Sequence, residues 1–130
     1  MRRPYKLLLI ALTVALFSLA TVGSAMAASG TLPPGGSVCD GPFFADGSSV
    51  SAVELTGHAD GVVKWSIHQS ADPVFANSHK VFKHHATDID AFVFASSNPE
   101  LFPGFFWGCA FNDGTTTVNV SDVSIGPPLN

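Results

Sequence analysis

Val62-Val63-Lys64-Trp65-Ser66-Ile67-His68-Gln69 decides the fold class. Val63, Trp65 and Ile67 alternate with Lys64, Ser66 and His68, the period of two that puts one set of side chains on a buried face and the other in water. Toward the N-terminus, Ser49 to Gly57 carries Val53 and Leu55 at the same spacing. Between the two, His58-Ala59-Asp60-Gly61 ends in the Asp-Gly pair that favours tight hairpins. Toward the C-terminus, His79 to His85 is a more polar strand around Val81 and Phe82, while Ile89–Ala95 and Phe105–Phe111 are the most apolar stretches. Thr115 to Ile125 changes phase near Ser121-Asp122, which predicts a bulge. Asn112-Asp113-Gly114 is a second hairpin signal, and Ser96–Gly104, with prolines at 99 and 103, is the longest connection.

No stretch after the N-terminal segment offers apolar residues at helical spacing over three turns. Six or seven short strands with regular turn signals predict an all-β class: one small antiparallel β-sandwich, Ig-like or jelly-roll-like, over residues 38–126. Residues 28–37, ASGTLPPGGS, read as a flexible leader, and residues 127–130 as a short tail.

Residues 1–27 combine a basic start (Arg2, Arg3, Lys6), an apolar run from Leu7 to Val22 and a small-residue stretch ending Ala25-Met26-Ala27. That order predicts a secretory signal peptide cleaved after Ala27 and a secreted product with no membrane attachment after cleavage. Residues 28–130 hold three lysines, no arginine and ten carboxylates, a formal charge of −7 with histidines neutral. So acidic a chain is a poor partner for nucleic acid and for anionic membrane surfaces, both of which require clustered cations. In an oxidising compartment Cys39 and Cys109 are expected to pair. The bridge closes a loop of about 70 residues, worth roughly 4 kcal/mol in the chain-entropy model.

If Cys109 is buried, Phe105, Trp107 and Phe111 share its inward face, while Phe106, Gly108 and Ala110 point outward. Phe92 and Phe94 share a face with Asp88 and Asp90 and are expected inward, since two buried rings contribute roughly 3–6 kcal/mol. Phe102 and Phe106 then become candidates for an exposed aromatic patch at the end of the proline-bounded loop, although rings in a small domain also serve simply as core.

His79, His84 and His85 with Asp88 and Asp90 form the alternative candidate, a metal site, set against the plainer reading of solvated surface groups. No Gly-x-Ser-x-Gly elbow occurs, and the local set His68, Ser70, Asp72 has the character of chance proximity. The expectation is therefore a secreted, non-catalytic binding module without cofactor, engaging an extracellular glycan or protein surface through Phe102 and Phe106. A metal-binding protein or a small inhibitor or carrier is the alternative.

Overall fold

The computed structural model describes residues 28–129. The expected signal peptide, residues 1–27, lies outside the described residues. The described residues are all-β and antiparallel, as expected: β1 (Ala28–Leu32), β2 (Ser37–Ala45), β3 (Ala52–Ser70), β4 (His79–Phe94), β5 (Gly104–Phe111) and β6 (Val118–Gly126). Single 3-10 turns at Phe75–Asn77 and Pro99–Leu101 interrupt the connections before β4 and β5.

The organising element is β3, at 19 residues far longer than an ordinary strand. The two stretches expected as separate strands are joined, because His58-Ala59-Asp60-Gly61 bends the chain instead of reversing it. Ala59 is buried there, and the Asp60 carboxylate accepts from the Asn119 backbone amide at 2.9 Å, tying the bend to β6. β4 runs along one edge of β3 with register breaks between His58 and Val63 and between Ile67 and His68. On the other edge, residues 54–59 pair with β6 and residues 64–70 pair with β5. The sheet order is β1-β6-β3-β5-β2, with β4 on the remaining edge of β3. One continuous sheet is therefore divided at the middle of β3 into two halves, or layers. The first holds β1, β6 and the front half of β3; the second holds β2, β5 and its rear half.

The layers meet through reciprocal large-on-small contacts. Trp65, in the rear half of β3, lies on Gly57 in the front half, where any Cβ would collide with the indole. Leu55, in the front half, reaches Gly108 on β5, where a Cβ would stand 2.5 Å from Leu55 Cδ1. Val53, Leu55, Val63, Trp65, Ile67, Phe106, Ala110 and Val123 are fully buried between the layers. The larger ones each contribute about 1.5–3 kcal/mol. The Trp65 ring N–H donates to the Ala86 carbonyl at 2.9 Å, so its polar edge is also satisfied.

Two expectations about the chain's course change. Residues 28–32, read as flexible leader, form β1 paired with β6, because an edge strand needs backbone hydrogen bonds rather than apolar side chains, and buried Leu32 anchors it. Asn112-Asp113-Gly114 is not a hairpin turn, since β5 and β6 pair with different halves of β3; it carries the chain from one layer to the other. The expected bulge in the last strand is present at Ser121, where His58 opposes Asp122 and Ala59 opposes Val120.

Candidate functional site

Residues directly opposite in adjacent antiparallel strands point to the same face. On the rear half of β3, Lys64, Ser66 and His68 oppose His85, Lys83 and Lys80 on β4. On its other edge the same three oppose Phe111, Cys109 and Trp107 on β5. Beyond β5, Phe111 and Cys109 oppose Ser37 and Cys39 on β2, and Phe105 opposes Phe44. All these side chains therefore share the outer face of the second layer, since Trp65, Ile67 and Phe106 occupy the inner one.

The face is held together by local chemistry. Cys39 and Cys109 form the expected disulfide, joining neighbouring strands at a Cα separation of 4.1 Å. Asp72 ties down the loop that follows β3, accepting from the Ser70 hydroxyl at 3.3 Å, the Val74 amide at 3.1 Å and the Asn77 side chain at 3.1 Å. That loop delivers Phe75 onto the face, 5.1 Å from the His68 ring and edge-on to Trp107 at 5.5 Å. Phe44 and Phe105 form a second ring pair at 5.0 Å. The Lys64 ammonium lies over the Phe111 ring, 5.1 Å from its centroid, a cation–π contact.

Between these groups is a shallow pocket of ≈ 250 Å³, lined by Lys64, Lys80, Ser66, His68, Phe75 and Phe111 with the disulfide beside them. The His68 ring nitrogen and the Ser66 hydroxyl are 2.9 Å apart. His68 thus bonds Ser66 rather than joining Ser70 and Asp72. Burial, followed by the charges of Lys80, His79 and Lys64, holds the His68 imidazole below its usual range. The Lys80 ammonium is likewise lowered, first by loss of hydration and then by Lys64 and Lys83. Among the described residues no lysine pairs with a carboxylate; the close histidine–carboxylate contacts are His58–Asp88 and His85–Asp113, the latter at 2.7 Å.

The outer face of the first layer has the opposite sign. Glu54, Thr56 and His58 on β3 oppose Phe92, Asp90 and Asp88 on β4 and Gly126, Ser124 and Asp122 on β6. Asp90 beside it raises the Glu54 carboxyl, whereas His58 lowers the Asp88 carboxyl and is itself raised.

The residues singled out from sequence are redistributed. Phe106 is fully buried, and Phe102 is half-buried with its ring 5.1 Å from Phe106, so this pair belongs to the core and is no exposed patch. The faces of β5 and of β4 are both inverted relative to expectation. Gly108 and Ala110 point inward with Phe106, and Phe92 and Phe94 are exposed (41 % and 47 %), stacked on each other at 5.6 Å. The expected metal set does not converge: His85 is taken by Asp113 and Asp88 by His58, while Asp90 lies against Glu54. Among the described residues no three His, Cys, Asp or Glu side chains gather as a metal site. His79 instead lies at a second cleft, ≈ 430 Å³, between the two halves of β4 and Leu101.

Two contributors escape a reading of the sequence. Phe75 sits in a loop without periodicity, and the convergence of all three lysines depends on the β3–β4 register, which no local pattern encodes. The disulfide places the described residues in an oxidising compartment, and among them no helix is long and apolar enough to cross a membrane. No protein-family model matches the chain, and no curated protein matches it significantly.

Proposed function

We propose that the protein is an exported, non-catalytic binding module that engages an extracellular glycan through the outer face of its second layer. The observation that supports this is the gathering of exposed rings and every lysine of residues 28–129 on that one face. Phe44 and Phe75 remain 48 % and 44 % exposed, so they offer apolar surface to a partner. Aromatic faces stack on the apolar faces of sugar rings, and a shallow pocket bordered by rings accommodates one unit of a polymer laid across the sheet. The disulfide and the N-terminal segment support export.

Co-sedimentation with a panel of insoluble neutral and acidic polysaccharides tests the reading. At least one is expected to retain the protein, and the double substitution Phe44→Ser with Phe75→Ser is expected to release it while leaving the thermal midpoint within a few degrees. Retention by none of them, or retention unaffected by the double substitution, refutes it.

A further inference from the structure

The lysines carry an inference that rests on the glycan reading and makes it specific. The chain has ten carboxylates, yet among the described residues Lys64 and Lys80 form an ion pair with none of them; Asp113, bound to His85, lies within the field of Lys64, and the two lysines converge on one another beside the pocket. Like charges brought together repel, and a group of opposite sign between them relieves the repulsion. Loss of hydration first, and then Lys64 and Lys83, hold the Lys80 ammonium below its ordinary range. The Lys64 ammonium rests over the Phe111 ring, and Phe75 also lines the pocket. Ser66 and His68 supply hydrogen-bonding groups on the floor, already bonded to one another at 2.9 Å. The pocket's ≈ 250 Å³ is too small for a drug-sized ligand but holds one ring-sized unit.

We infer that Lys64 and Lys80 form a seat for one anionic substituent of an acidic sugar, its carboxylate or sulfate held between the two ammonium groups and its ring between Phe75 and Phe111. Each lysine donates a charge-assisted hydrogen bond to a different oxygen of the anion. Neutral glycans lack the group that would relieve the lysine–lysine repulsion. The polymer selected by the face is therefore an acidic one.

Amide chemical-shift titration of the purified chain with glucuronate, glucose 6-sulfate, glucose and acetate tests the seat. At least one of the two acidic sugars is expected to give saturable shifts at Ser66, His68 and Phe111, with a dissociation constant on the order of millimolar for so small a ligand. Glucose and acetate should give none in that range; the better of the two acidic sugars identifies the anion. Lys64→Gln or Lys80→Gln should each weaken binding by about tenfold, the loss of one hydrogen bond to a charged group. Lys64→Arg with Lys80→Arg should retain it. No saturable shift with either acidic sugar, equal shifts with glucose or acetate, or binding untouched by the glutamine variants overturns the inference. If polysaccharides retain the protein equally with and without the lysines, the seat fails and the glycan face stands. If glucuronate seats but no polysaccharide is retained, the seat stands and the glycan face fails.

Discussion

Substituting Asn112 should destabilise this protein more than its position in a loop suggests. The side chain is fully buried where the chain crosses from one layer to the other. Its amide donates to the Leu32 carbonyl at 2.9 Å and to the Thr116 carbonyl at 2.7 Å, and its oxygen accepts from the Gly114 amide at 3.0 Å. Its backbone N–H donates to the Gly36 carbonyl and its carbonyl accepts from the Gly35 N–H, so three segments are joined at one residue. Asn112→Leu strands the buried Leu32 carbonyl, at about 1–3 kcal/mol, and loses two half-buried bonds at about 0.5–1.5 kcal/mol each. The sum is about 4 kcal/mol, or roughly 15–30 °C in thermal midpoint for a domain of this size. Asn112→Asp keeps the acceptor for Gly114 but points a carboxylate oxygen at two carbonyls. Its carboxyl is therefore raised in the folded state above the ordinary unfolded value of about 3.9. For a raised acid the protonated form favours folding, so the variant's deficit is largest above the folded pKa and shrinks as pH falls toward the unfolded one. Urea unfolding at pH 7 and pH 4, each against the wild-type chain, reads both effects. A cost below 1 kcal/mol for Asn112→Leu refutes the reasoning, as does an Asn112→Asp deficit that does not narrow at pH 4.

The inverted faces give a paired expectation: Phe106→Ala should cost about 3–5 kcal/mol by urea unfolding, while Phe92→Ala and Phe94→Ala, exposed at the edge, each cost less than about 1 kcal/mol. Replacing Cys39 and Cys109 together by Ser should cost about 2–5 kcal/mol, measured by the same unfolding curve under non-reducing conditions. For the His58–Asp88 pair, the raised imidazole contributes fully below its unfolded 6.5 and loses that as pH rises through its folded pKa. The lowered carboxyl contributes above its unfolded 3.8 and loses that as pH falls through its folded pKa. The pair thus acts fully between pH 3.8 and 6.5, and Asp88→Asn should lower the His58 NMR titration toward 6.5.

The strands are legible in the sequence because period two is a local property, and the grouping of residues by face is legible for the same reason. Which group faces inward is not. An inward Cys109 presumes that a disulfide lies in the core. A bridge between neighbouring strands needs only opposite positions, however, and these lie on the outer face. The register shows why an inward Cys109 conflicts with the alternation in β3. Phe111, Cys109 and Trp107 stand opposite Lys64, Ser66 and His68, so turning them inward would bury the Lys64 cation and expel Trp65 and Ile67. The same logic governs β4. Burying Phe92 and Phe94 would carry Asp88 and Asp90 inward with them, and the cost of unpaired carboxylates exceeds the gain from two rings. An exposed patch at Phe102 and Phe106 depends on the same presumed face of β5, and it moves into the core once that face is inverted.

Net charge misleads for a related reason. A formal −7 over residues 28–129 argues against anionic partners only if the charges are mixed over the surface. Here the bend at residues 59–62 divides β3 into two halves whose outer faces differ in sign. The front half and its partners carry buried Glu54 with Asp88, Asp90 and Asp122, and the rear half and its partners carry Lys64, Lys80 and Lys83 with Asp113 held by His85 as the carboxylate beside them. Charges on opposite outer faces lie beyond or near the Debye length of about 8 Å at physiological salt, given sheets packed about 10 Å apart, so each face meets a ligand largely with its own field. Among the described residues no carboxylate forms an ion pair with a lysine, which keeps the ammonium groups available. An excess of carboxylates and a lysine face for an anion are thus compatible, because the fold separates them.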